Sequence, residues 1–135
     1  MKLLLLTPAG TKRIEQIKQI TLPTSAGEIT VLPGHEPVVT ELSSGAIEVV
    51  ADGGKEHFAI FEGFAKISQK EVKIYSAGFE EAENLNEAKI KEAIERAKQQ
   101  KTEAKADVEF AAAAAMLERE LAKLKTLQRR HRYQR

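Results

Sequence analysis

The sequence has 135 residues, the length of one ordinary domain or of a small domain with an appendage. Its 21 Lys and Arg against 20 Asp and Glu exclude a whole-chain field that would draw it to nucleic acid or anionic lipid, so any basic surface must be local. The absence of Cys excludes disulfides, thiolate nucleophiles and Cys-ligated zinc.

The opening "MKLLLLTPAG" carries four Leu behind one Lys. Thr7 and Pro8 end the apolar run too early for a signal sequence or a membrane span, and the run reads as the first β-strand of a soluble protein. Strand-like runs then recur at Leu3 to Leu6, Ile17 to Leu22, Glu28 to Leu32, Pro37 to Leu42, Ala46 to Ala51, His57 to Phe61, Phe64 to Ile67 and Val72 to Ser76. Turn residues separate nearly all of them, and "ADGGK" at 51 to 55 supplies Asp-Gly and Gly-Gly pairs that tolerate positive φ. A hairpin joining Ala46–Ala51 to His57–Phe61 is therefore expected. Many short strands without intervening helices predict an N-terminal antiparallel β-sandwich of roughly eight to ten strands over residues 1–83.

All eight Gly and all four Pro fall in residues 1–79, and beyond them the hydrophobic period changes. From about Leu85, the residues Ile90, Ala93, Ile94, Ala97 and Ala104 share one helical face. After "KAD", Asp107 is placed to cap a second helix whose Phe110, Ala113, Ala114, Leu117, Leu121 and Leu124 share another. The short connection predicts an antiparallel two-helix hairpin over 84–135. Its Ala-rich faces bury little, at about 0.8 kcal/mol per Ala against about 1.5–3 for a Leu or Ile. Its Ala, Glu, Lys, Gln and Leu are strong helix formers, helped by Glu87–Lys91 and Glu92–Arg96 pairs, so the helices can outlast their own undocking. That combination suits a two-state element, whereas a permanently folded helical cap is the plainer alternative.

Two stretches, "GEITVLPGHEPVVTELSSGAIEV" at 27 to 49 and "FEGFAKI" at 61 to 67, followed by an Ala-rich hairpin, resemble the epsilon subunit of bacterial F-type ATP synthases. The likeness runs from about Leu3 to the region of Leu127, and Leu-Pro-Gly-His-x-Pro is its most specific part. Thr30 departs from the Gly frequent there, which a strand tolerates. The resemblance implies a non-catalytic rotor subunit, peripheral on the cytoplasmic face of the cell inner membrane and membrane-associated only through its complex. Its implied partners are the gamma subunit, the c-ring and the alpha and beta catalytic subunits. Its implied roles are coupling gamma to the c-ring for proton-driven ATP synthesis and braking ATP hydrolysis through a mobile hairpin.

Read on its own, His35 follows a Pro33-Gly34 turn that lifts it to a loop tip, where binding residues commonly sit. A general base needs a nucleophile or orienting carboxylate held beside it, and no spacing here places one, so no catalytic residue is assigned. His57 and His131 lie in separate segments without ligand spacing, so no metal site is assigned either. The resemblance makes Glu28 and His35 docking residues for the c-ring, with the opposite sandwich face turned to gamma. The plain reading of Glu28 is a solvated strand-end charge.

"LNEAKI" at 85 to 90 aligns with the family's nucleotide motif, yet Asn86, Lys89 and Ile90 stand where that motif has Asp, Arg and Ala. Asn lacks the charge, Lys lacks the planar fork and Ile is bulkier. The stretch therefore reads as a helix start capped by Asn84 or Asn86. No cofactor is expected, and if regulatory ATP did bind, Asn86, Lys89, Arg96 and Arg119 would hold it. From 118 to 135, seven Lys and Arg face two Glu. With Tyr133 as the tail's sole aromatic there is no stacking platform, so nucleic acid is not expected as a partner. A solvated terminus is the plain reading. The resemblance instead sends Arg119, Lys123 and Lys125 to an acidic segment of the beta subunit. A reading from another class is a free-standing adaptor dimerising through Leu117, Leu121 and Leu124.

Overall fold

Residues 1–133 are described by a computed structural model, and Arg135 of the basic tail lies outside them. Ten strands come first: β1 Lys2–Thr7, β2 Gly10–Ile14, β3 Ile17–Thr24, β4 Gly27–Val31, β5 Val38–Leu42, β6 Gly45–Ala51, β7 Gly54–Ile60, β8 Gly63–Ile67, β9 Glu71–Ser76 and β10 Phe79–Glu81. A 3-10 turn at Ala82–Asn84 leads into α1 Glu87–Glu103 and α2 Asp107–Tyr133. The β-sandwich followed by two helices is the architecture read from the sequence, with β2 and β10 lying outside the eight strand-like runs.

Alternation along the strands builds the core: Leu3 and Leu5 of β1 are buried while Leu4 and Leu6, which alternate with them, are only half-buried. The sheet order is β10-β7-β6-β3-β5-β8-β9-β1-β2, with β4 on β3. Among the described residues every pair is antiparallel except β1 with β9. Between β3 and β5 the ladder narrows to Thr24 opposite Leu42, which divides the sheet into a β10-β7-β6-β3-β4 half and a β5-β8-β9-β1-β2 half. The halves face each other, because one apolar cluster draws Ile20, Ile47 and Phe58 from the first and Leu5, Ile67 and Ile74 from the second. Each such side chain contributes about 1.5–3 kcal/mol on burial. Lys12 of β2 closes the curl by binding Glu81 of β10, with Glu56 of β7 at 3.7 Å, so the two edge strands share one ammonium. The expected hairpin is present as β6 and β7, turning at Asp52 and Gly53 with Ala51 opposite Gly54.

Asn86 caps α1, its Oδ1 accepting from the Lys89 N–H at 3.1 Å, and Glu87 pairs with Lys91 at 3.3 Å. Asp107 is the first residue of α2 rather than the residue before it, and with Glu109 it places negative charge in the first turn. In α1 the buried positions Ile90, Ile94 and Ala97 follow the predicted face. In α2 the predicted face is divided: Ala113 is buried and Leu117 and Leu124 are half-buried, whereas Phe110 and Leu121 are 48% and 45% exposed. A second buried line, Ala122 and Thr126, lies on the other side of the helix. At about 100° per residue, that line turns away from the Leu side that meets α1 and toward the sheet. There α2 packs on β6 and β7, whose opposed Ala46 and Ala59 are fully covered yet stand outside the sandwich core. The sheet face of α2 is thus made of small residues, which periodicity of large apolar side chains does not reveal.

Candidate interaction surfaces

The loop that carries His35 is a tight turn built by its sequence. The His35 N–H donates to the Leu32 carbonyl at 3.3 Å, Pro33 takes the second position, and Gly34 has φ of 86°. That is the type II pattern, which needs Gly or Asn at the third position. Gly34 N–H donates to the Gln69 carbonyl at 2.9 Å, tying the turn to the β8–β9 connection. His35 Nδ1 sits 2.7 Å from the Glu36 carbonyl oxygen, so this nitrogen carries the proton and the other ring edge is left for a partner. Glu28 lies toward the opposite end of β4. The structure joins it not to His35 but to α2, with Arg129 at 2.5 Å and Lys125 at 4.0 Å.

The other two cations assigned from sequence are also held by the sandwich. Arg119 forms a two-pronged pair with Glu62, Nε donating at 3.3 Å and Nη2 more closely, and its guanidinium lies over the Phe61 ring at 5.1 Å. Lys123 meets Glu80 of β10 at 3.3 Å, Glu120 at 3.1 Å and the same ring at 5.8 Å. Along α2, Arg119 and Lys123 therefore flank one side of the Ala122–Thr126 line and Lys125 and Arg129 the other. Arg119 hydrogen bonding holds the Glu62 carboxyl down at about 2, against a smaller opposing effect of burial and with help from Ser44 at 3.0 Å. A depressed carboxyl stabilises the docked form above its free value near 4.5, and that contribution is lost as pH falls toward 2. In a carbon-detected NMR titration Glu62 should show a midpoint near 2 that moves back toward 4.5 in Arg119→Gln; an unchanged midpoint would sever this pair.

The residues of the nucleotide question are not gathered in one place. Asn86 and Lys89 line a cleft of about 210 Å³ with Glu80, Ile90, Glu120 and Lys123, and neither Arg96 nor Arg119 lines it. The Asn86 side-chain carbonyl is committed to the helix cap, and Lys89 and Lys123 share the cleft with Glu80 and Glu120, so it offers a phosphate no net positive charge. Among the described residues no cluster of His, Asp and Glu could hold a metal ion, and no helix is long and apolar enough to cross a membrane.

Comparison with known proteins shows where this arrangement recurs. Residues 1–82 match the family described as ATP synthase, Delta/Epsilon chain, beta-sandwich domain. The ATP synthase epsilon chain of Nitratidesulfovibrio vulgaris strain DP4 is 31% identical over 121 residues, covering 90% of either chain. That of Macrococcus caseolyticus is 36% identical over 118 residues, covering 85% of this chain and 87% of the relative. The chain belongs to the ATP synthase epsilon family. A chain in the Euglena gracilis mitochondrial ATP synthase, in a structure of OSCP, F1 and c-ring, superposes with a TM-score of 0.80 at 27% identity, over 91% of this chain and 78% of its own. One in the Tetrahymena thermophila mitochondrial ATP synthase, in a structure of central stalk and c-ring, shares the fold at 12% identity with a TM-score of 0.63, over 94% of this chain and 96% of its own.

This epsilon chain also has a bare surface that no sequence motif marked. The helices cover the outer side of β6 and β7, whereas the outer side of the other half carries Val39, Phe64 and Tyr75, exposed by 65%, 47% and 37%. Register puts Glu41, Phe64, Tyr75 and Leu6 in one row across β5, β8, β9 and β1, and the Phe64 and Tyr75 rings stack at 4.9 Å. An apolar patch rimmed by Glu41, Lys66 and Lys73 has the composition of a protein-binding face. The signal was present in the strand alternation, but it needs the pairing order to assemble.

Proposed function

We propose that this epsilon chain is a non-catalytic rotor subunit whose sandwich couples gamma to the c-ring during proton-driven ATP synthesis, on the cytoplasmic face of the inner membrane, and whose hairpin brakes ATP hydrolysis. The observation that carries the reading is the difference between the hairpin's two interfaces. α1 buries Ile90, Ile94 and Ala97 and α2 half-buries Leu117 and Leu124 on one side, whereas the buried line on the opposite side of α2, which packs on β6 and β7, is Ala122 and Thr126, fringed by ion pairs. The second interface can open while the first stays closed, which moves an intact hairpin. Released, Arg119, Lys123 and Lys125 are free to meet an acidic segment of the beta subunit.

In this reading gamma covers the Val39, Phe64 and Tyr75 face, and the His35 turn meets the polar loops of the c-ring. Glu28 stands at the sandwich edge, where docking to the ring and binding to Arg129 draw on one carboxylate. Reconstitution with gamma and the c-ring of the same enzyme tests it. Phe64→Lys should weaken gamma association by roughly 30-fold or more, as for a central aromatic anchor, without lowering thermal stability. His35→Ala should loosen the ring and spare gamma. Unchanged assembly in both variants would remove the docking assignments. ATP is expected to bind the free chain weakly or not at all, and calorimetric binding at about 1 μM or tighter would overturn that.

A further inference from the structure

The α2 cations offered to a partner are the same ones that the sandwich already holds, and the sandwich holds them with carboxylates. Arg119 is on Glu62, Lys123 on Glu80, and Lys125 and Arg129 on Glu28. These acids come from the β7–β8 connection, from β10 and from β4, elements far apart in sequence, and they meet the cations on both sides of the Ala122–Thr126 line. Lys123 and Arg129 keep only 18% and 19% of their side-chain surface, so two of the four are substantially covered. Phe61 lies beneath Arg119 and Lys123 together.

Resting on the function proposed above, we infer that Glu28, Glu62 and Glu80 are an internal acidic ligand for α2, which competes with the partner's acidic segment for the same cations and sets the fraction of hairpin available to inhibit. Because the apolar contact between α2 and the sheet is small, with Ala122 and Thr126 on the helix, Ala46 and Ala59 on the strands and Phe61 and the His57–Glu48 pair at its margin, the ion pairs choose between docked and released forms. Four pairs to three carboxylates, acting together, shift such an equilibrium far more than one exposed pair does. The competition has a directional consequence. Removing the sandwich acids strengthens inhibition, whereas removing the helix cations abolishes it, although both release the hairpin.

The test uses the full chain, which has no Cys, so that Gly53→Cys at the β6–β7 turn and Val108→Cys at the hairpin tip take spin labels specifically. Gly53 has no neighbour within 4 Å of an added side chain and Val108 is 80% exposed, so neither change disturbs packing. In the free chain, Glu28→Gln, Glu62→Gln and Glu80→Gln together should raise the population of the longer distance by roughly five-fold or more, with helical circular dichroism unchanged. Raising salt toward 1 M should open the parent and leave the triple variant unaffected, because screening acts only on pairs that exist. A distance distribution identical to the parent's at every salt concentration overturns the inference. In the assembled enzyme, the double variant Glu62→Gln with Glu80→Gln, which keeps the Glu28 docking carboxylate, should hydrolyse ATP more slowly than the parent. If the free chain opens and hydrolysis is unchanged, the internal ligand stands and the inhibitory reading fails; if the free chain stays closed, the internal ligand fails whatever hydrolysis does.

Discussion

Ending the chain at Glu83 should raise ATP hydrolysis by the assembled enzyme roughly five-fold or more while leaving the subunit in place, a release matching the usual size of a coupling between two sites. The truncated sandwich should fold, because its core cluster is drawn from residues 3 to 74, with Met1, Ile14, Ile29 and Phe79 packed against it, and no helix residue belongs to it. What the cut uncovers is small: Ala46 and Ala59, with the His57–Glu48 pair at 2.9 Å beside them. Phe61 and the acids Glu28, Glu62 and Glu80 become solvated, which costs them little in water. Assembly follows from the untouched outer face of Val39, Phe64 and Tyr75 and from the His35 turn. Hydrolysis measured across a range of ATP concentrations checks the expectation, and a rate equal to that of the full-length subunit throughout would exclude the hairpin as a brake. Replacing Arg119, Lys123 and Lys125 with Gln separates two mechanisms: activation by truncation but not by this variant would make inhibition steric rather than electrostatic.

Gly63→Ala should be the most damaging single change in the sandwich. Gly63 begins β8 opposite both Leu42 and Ser76, and a methyl group there would stand 1.9 Å from the Tyr75 carbonyl oxygen and 2.9 Å from the Ser76 Cα. Those are backbone atoms in a paired strand, so relief requires β8 and β9 to separate, at a cost of about 3 kcal/mol or more. For a domain of this size that lowers Tm by more than about 10 °C. It also shifts Phe64 and Tyr75, the stacked pair of the outer face, so assembly should fail together with stability. Gly53→Ala, with open space around it, is the control and should be neutral within about 0.5 kcal/mol. Equal melting of the two variants would mean that the β8–β9 ladder yields more easily than its geometry implies.

Much of this architecture was written in local pattern. Alternation located β1, β3 and the β6–β7 hairpin, and the loss of Gly and Pro after residue 79 marked the change to helices. β2 escaped because an edge strand reading Gly10-Thr-Lys-Arg-Ile14 is polar by necessity, its Lys12 turned to carboxylates rather than to the core. β10 escaped because three residues are too few to show a period. The pairing of β1 with β9 joins residues about seventy positions apart and leaves no local trace. Among the site residues, the Pro33-Gly34-His35 turn was legible because turn chemistry is local. The cations Arg119, Lys123 and Lys125 were visible as charge, but not their partners Glu62, Glu80 and Glu28, since a chain rich in Glu offers many candidates and only the fold selects among them. The same holds for the two sides of α2, where the large residues predicted one buried face and the small ones, Ala122 and Thr126, made a second.

Movement of one intact hairpin between the sandwich and the catalytic part of the enzyme is tested most directly by the spin-labelled pair at positions 53 and 108 once the chain is assembled. Two distances are expected in the complex, one equal to the docked distance of the free chain and one longer. The longer population should grow as hydrolysis is inhibited, and in the variant with Gln at Arg119, Lys123 and Lys125 it should persist without inhibition, because the hairpin leaves the sandwich but has lost the cations that meet the beta subunit. A single distance equal to that of the free chain, in an enzyme whose hydrolysis is nevertheless inhibited by this subunit, would contradict it.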